Sequence, residues 1–289
     1  MSVTQVRLTR EGFWPATFNA KRLAKESEEA HGMCEGSLRT VMSLFPRKVC
    51  GFPNPHTEFL TAGSELYKYH IDHTTDWDSP TRALRDESLN AYLTEMERLR
   101  QVCNENFRKF LEWMPEGKRL AATPEGLNGQ FDSALYKDED RLLREFHIHV
   151  TTEPITRPEQ LWGGLMGDMI EKQRQEYERN MAEREENARH SSAASLLDRM
   201  KDFAQRMANP EARNIESMIQ EVTAFAQNIP AALNISGDAQ LDQAANEAAS
   251  ILASIDVEAI RKDEANRKLM AKLGTEFVNK YAGIGQRKF

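Results

Sequence analysis

The sequence predicts an all-α protein with a minor strand pair, organised as a long antiparallel helical hairpin followed by a C-terminal helical bundle. Three observations carry that expectation. From Leu89 to Met114 the apolar residues Leu89, Tyr92, Met96, Leu99, Cys103, Phe107, Phe110 and Met114 recur at steps of three or four, the period of one helix face. After residue 195 the chain turns alanine-rich, and all four tryptophans (Trp14, Trp77, Trp113, Trp162) lie before that change. One clear alternation occurs, at Glu145 to Thr151, where Phe146, Ile148 and Val150 oppose His147 and His149, the signature of a strand.

The elements follow in order. Val3 to Leu8 alternates briefly and reads as a short strand or extended arm, the natural partner of the strand at 145–151 because one strand cannot stand alone. Residues 18–44 carry a helical pattern (Leu23, Ala30, Met33, Leu38, Val41, Met42) weakened by Gly32 and Gly36, each costing about 1 kcal/mol against alanine. LFPRKVCGFPNPH, with three prolines and one glycine, forbids a continuous helix and reads as an apolar loop. A helix spans 57–70. Ser79 as cap and Pro80 at the first position predict the start of the next, which runs to Pro115 and Gly117. Some 35 residues at about 1.5 Å each make it roughly 50 Å long, so part of it should project. Thr123-Pro124-Glu125 reads as a further helix start, soon interrupted by Gly126 and Gly129.

A second long helix begins after Gln160, with Leu161, Leu165, Met169 and Ile170 as its docking face and Tyr177 and Met181 beyond. Between Glu171 and Arg189 it holds six acidic and five basic residues, a solvated face, and it is expected to lie antiparallel to the central helix. HSSAAS at 190–195 reads as the linker. The expected domains are therefore 1–189 and 196–289. The second contains helices at 196–207, 210–229, 240–255 and 257–281, bounded by Asn209-Pro210, Asn228 to Pro230 and Ser236-Gly237-Asp238.

Composition narrows the function. The chain has 289 residues, 29% of them charged, and a formal net charge of −7, with mean hydropathy −0.64. An acidic balance argues against broad, non-specific nucleic-acid binding. The three cysteines are odd in number and widely spaced, which fits a reducing, cytoplasmic setting. No apolar h-region opens the chain and no run reaches the ~20 apolar residues that span a bilayer, so no membrane is expected.

Reactive motifs are sparse. His70 and His73, with Asp72 between them, and His147 and His149 on one strand face are candidate metal ligands. HxxH is a common accident, however, and alternation puts any two residues on one face, so the expectation is no metal and no cofactor. No GxSxG elbow, Walker loop or GxGxxG after a strand is present, and GGLMG at 163–167 lacks the strand and lysine such a loop needs. The chain is not expected to be an enzyme. Arg39, Arg47 and Lys48, near Phe45 and Phe52, are the candidate nucleic-acid contacts. Candidate interaction residues are the stripes themselves: Leu89, Tyr92, Met96, Leu99, Phe107 and Phe110 on one helix, Leu161, Leu165, Met169 and Tyr177 on the other. The expected partner is another protein or a second copy.

The order SLFPRKVCGFPNP, a helix, the long helix ending in KFLEWMPE, then FHIHVTTEPI and a charged helix resembles an uncharacterised helical family of phages and mobile elements, encoded beside MoxR-type AAA+ ATPases and von Willebrand A-type proteins. The resemblance covers residues 20–190 and rests on order, not on an invariant motif. It implies an accessory of an ATPase-driven machine in the host cytoplasm, a non-catalytic adaptor. The alternative is a nucleic-acid-associated accessory factor in phage replication or recombination.

Overall fold

Alternation near the N-terminus and heptad-like stripes further on are both realised, though in a different arrangement from the one expected. A computed structural model describes residues 2–19, 41–45, 48–49, 52–123, 131–155 and 168–284. The chain is mainly helical with a small sheet. It divides into two units: Met1–Leu8, Tyr69–Thr94 and Val150–Phe289 form the first, and Thr9–Lys68 with Glu95–His149 the second.

The elements are β1 (Val3–Glu11), β2 (Thr17–Asn19), β3 (Val41–Ser43), β4 (Lys48–Val49), β5 (Phe52–Pro53), α1 (Pro55–His73), β6 (Thr75–Asp78), β7 (Thr81–Arg85), α2 (Asp86–Ala121), α3 (Glu139–Glu145), β8 (His147–Pro154), α4 (Asp168–Ala208), α5 (Ile215–Asn228), α6 (Ala239–Ala253), α7 (Val257–Lys262) and α8 (Glu264–Tyr281).

In the first unit the strand order is β6-β7-β1-β8. β1 pairs antiparallel with β7 from Val3↔Arg85 to Val6↔Arg82. On its other side the Ile155 N–H donates to the Val3 carbonyl at 3.0 Å, so the strand at 147–154 does pair with the N-terminal piece. The main core gathers Leu196, Met200 and Phe203 of α4, Met218, Val222 and Phe225 of α5, Leu241, Ala245 and Ala248 of α6, and Phe277 and Tyr281 of α8. Alanine-rich faces let α6 approach closely. Gly274 does the same for α8 against α4, where an added Cβ would sit 3.0 Å from Ala204 Cβ and from the Phe203 ring. Asp238, Asp256 and Asp263 cap α6, α7 and α8 through side-chain bonds to first-turn amides.

The second unit is built on aromatic rings. Phe45, Phe59, Phe107 and Phe110 are buried together, with Phe13, Trp14, Trp113 and Phe146 packed against them. Phe13 stacks on Phe59 at 4.9 Å, and Phe107 on Phe146 at 4.1 Å.

Five expectations are corrected. Ser79 and Pro80 form the β6–β7 turn, with a cis peptide between them, and α2 starts at Asp86. Alternating burial of Thr75 and Trp77 makes the preceding segment a strand. Pro115 does not stop α2, which runs on to Ala121, because Met114 and Ala121 are buried in the aromatic core and Trp113 lies over Gly117. That burial outweighs the ~3 kcal/mol cost of an interior proline. The expected helix at 18–44 is instead strand at both described ends, Thr17↔Ser43 to Asn19↔Val41, and residues 20–40 lie outside the described residues, as do 124–130. The linker at 190–195 is continuous helix inside α4. There Ala193 and Ser192 are buried, and the Ser192 hydroxyl bonds Thr75 Oγ1 at 2.9 Å. A boundary at 190–195 is therefore not where the chain divides. Nor does the charged helix form its main pairing with the central one: α4 packs most extensively on α8.

Candidate interaction surface

The stripe singled out on the central helix is consumed by the chain's own cores. Tyr92, Met96, Leu99, Phe107 and Phe110 are all buried, and Leu89 is half-buried. Within the first unit Tyr92 Oη lies 2.7 Å from His70 Nδ1. Within the second, Phe107 and Phe110 belong to the aromatic core. These six residues are thus not a free docking face. The physical reason is that α1 and the apolar segments around Phe13 and Phe45 supply the cover that the sequence pattern left open. On the other helix, Leu161 and Leu165 lie outside the described residues, and Met169 is helical but its side chain is not described. Tyr177 is half-buried on an otherwise exposed stretch.

Two of the four candidate histidines hold structural places. His70 is 3% exposed, and desolvation, with help from the nearby Arg82 charge, pushes its pKa down to about 4. His73 Nδ1 contacts the Tyr69 carbonyl at 2.9 Å. His147 and His149 are exposed on β8. Among the described residues no three His, Cys, Asp or Glu side chains gather to hold a metal. Cys103 is fully buried, and burial raises its thiol to about 11, which removes the thiolate that reactivity needs. Arg39 and Arg47 lie outside the described residues; Lys48 is in β4, its side chain not described.

A different surface emerges in the first unit. The tip of the β6–β7 hairpin (Asp76, Trp77, Asp78, Ser79) faces one side of α4 (Asn180, Glu183, Asn187, His190, Ala194, Asp198) across a groove of about 790 Å³. The α4 residues recur at steps of three and four, so they share one helix face. The hairpin is tied to the helix by Arg184 donating to Asp78 at 2.6 Å and by the Ser191 hydroxyl donating to Asp76 at 2.8 Å. Asp76 also pairs with Arg82. His190 Nδ1 is closed from solvent and has no hydrogen-bond partner. A second groove of about 620 Å³ runs on between α4 and α5, sharing Ser195 and Asp198. In the first groove four carboxylates stand against the one arginine, so the surface is acidic and polar.

N-terminal to the groove, residues 171–180 of α4 are exposed except for half-buried Tyr177. Their helix is held by ladder pairs such as Arg174 to Glu178 at 2.9 Å, each worth about 0.3–0.5 kcal/mol. The sequence showed this charged face but not the groove, whose walls come from segments about a hundred residues apart. The available signal was the polar i, i+3, i+4 run from Asn180 to Asp198. No protein-family model, curated protein or solved structure matches the chain. Among the described residues no helix is long and apolar enough to cross a membrane.

Proposed function

We propose that this chain is a non-catalytic interaction protein, an adaptor that offers the exposed part of α4 and its adjoining polar groove to a protein partner. One observation carries the reading. A helix of 41 residues commits its second half to the core and leaves residues 171–180 almost wholly outside it. An exposed helix of that length adds little stability to its own unit, and helices presented this way serve recognition. The reactive-type side chains point the same way. Cys103 and His70 are spent in packing, and Asp76 and Asp78 are tied to arginines.

The order of elements adds the expectation that the partner is a phage- or mobile-element-encoded ATPase of the MoxR type. The test adds purified chain to such an ATPase from the same genome and measures ATP hydrolysis and complex formation by light scattering. The expected result is a stable complex with an altered hydrolysis rate, weakened at least tenfold by Glu183→Lys with Asp198→Lys. A chain that forms no complex with the ATPase or with itself, or whose complex ignores both substitutions, would overturn the reading.

A further inference from the structure

The last turn of α1 is a junction on which much of the first unit converges. His70 and Tyr92 are both buried, and their one polar contact joins α1 to α2 at 2.7 Å. The Thr74 hydroxyl donates to the His70 carbonyl at 2.5 Å. Arg82, from β7, donates to Thr74 Oγ1 at 2.7 Å and to the Thr74 carbonyl at 2.6 Å. Asp72, two residues beyond His70, accepts from Arg199 of α4, and its carbonyl accepts from the Asn228 amide of α5 at 3.2 Å. One helical turn therefore holds α2, the hairpin, α4 and α5.

We propose that His70 is a proton-operated clasp: protonation of its ring releases the last turn of α1 from α2 and the hairpin while the main helical core of the unit stays closed. The geometry gives the reason. A neutral imidazole has one N–H and one acceptor, and the single contact to Tyr92 suits it. A second proton leaves the ring with two donors and no acceptor, so toward the Tyr92 hydroxyl it can then only donate. The same proton puts a positive charge in a buried ring. Tyr92 from α2 contacts that ring and the Arg82 guanidinium of β7 acts on it; Arg82 is itself paired with Asp76 of β6, Asp72 of α1 is paired with Arg199 of α4, and Tyr69 and His73 lie on α1 nearby. Tyr69 stacks on both His73 and Tyr92. Arg82 is a fixed cation, so it opposes protonation. Burial keeps the Tyr92 phenol from ionising, so no tyrosinate forms there to neutralise the new charge.

The sign follows from linkage. With the ring near 4 in the closed state against 6.5 when released, the clasp is fully held above pH 6.5 and loses strength as pH falls toward 4. The opening equilibrium grows up to tenfold per pH unit, about 300-fold in all.

The test is hydrogen exchange on the full chain, resolved by peptide and corrected for intrinsic rate, from pH 7 to pH 4. Expected is a rise in opening confined to residues 70–76, with 215–228 and 241–252 still protected. His70→Gln, whose amide can still bond Tyr92, should remove the pH dependence. Tyr92→Phe should raise opening already at pH 7. If His70→Gln keeps the wild-type pH profile, or if every peptide opens together, the clasp is refuted. The wild-type chain alone supplies a second readout should the variant not fold. The His70 ring signal by NMR should titrate near pH 4 together with the opening, and titration at 6.5 or above would equally refute the proposal.

Discussion

Removing the Arg85 guanidinium should loosen the segment 229–241 more than any other single change on the sheet. Arg85 ends β7 and reaches a π-helical turn, Ile229–Leu233. Its Nε and Nη2 donate to the Asn234 carbonyl at 3.0 and 2.6 Å, and Nη1 donates to the Pro230 carbonyl at 2.5 Å. Ser88 adds a bond to the Ala231 carbonyl at 3.0 Å. Carbonyls at the end of a helix have no partner of their own, and here Ile229, Leu233 and Asn234 are essentially sealed from water. Leaving a buried acceptor unmatched costs about 1–3 kcal/mol, and bonds from a charged donor lie at the strong end. Two carbonyls lose that donor in Arg85→Ala, giving roughly 3–4 kcal/mol. Lysine keeps the charge but not the fork, so Arg85→Lys should lose about half. The assay is hydrogen exchange of peptides covering 229–241, which reads local opening without assuming that both units unfold together. A loss under about 0.5 kcal/mol for Arg85→Ala, or a lysine variant equal to wild type, would refute the reasoning.

Other outcomes follow from the same kind of reading. Gly63→Ala places a Cβ 2.1 Å from Phe13 Cε1, so the second unit should lose about 1–3 kcal/mol by overpacking despite alanine's better helix propensity; denaturant unfolding followed by tryptophan emission measures it. Pro115→Ala should do the reverse. Pro115 is exposed within α2, and restoring an N–H to that turn should raise stability by about 1–2 kcal/mol, net of the added freedom of the unfolded chain. His56 is buried among Phe45, Phe110 and Trp14 with Nε2 2.9 Å from the Trp14 carbonyl, and burial lowers its pKa below 6.5. The neutral ring's contribution is therefore present above pH 6.5 and lost as pH falls below it. Acid unfolding of the second unit should shift to lower pH in His56→Gln, and an unchanged midpoint would count against this account.

What the sequence disclosed, it disclosed through periodicity. The stripe from Tyr92 to Phe110 lies on a helix and is buried. Helix positions after residue 210 fall close to the expected ones because aspartate caps at 238, 256 and 263 punctuate the chain. β8 was legible from its alternation, and its partner from the need for one. The β6–β7 hairpin was not, since TDWDSPTRALR offers only one large apolar residue per strand, and Ser-Pro is equally a helix start and a turn. HSSAAS has the composition of a linker yet the propensity of a helix, and contacts with Thr75 decide the matter. The apolar stripe was rightly placed on a helix, but its free exposure was inferred from length alone. Of the covering residues, Phe59 lies on a helix the pattern did show, while Phe13 and Phe45 come from segments that carry no clear period of their own.

Everything about where a partner docks depends on the α2 stripe being occupied within a single chain. Hydroxyl-radical footprinting of the monomer, with light scattering to verify that state, tests this directly. Tyr67, 48% exposed, is the internal reference. Oxidation of Tyr92, Phe107 and Phe110, each normalised to its intrinsic reactivity, should run at least tenfold slower than that of Tyr67. Rates equal to that of Tyr67 would mean that the stripe faces solvent, and the assignment of the partner surface to α4 would be wrong.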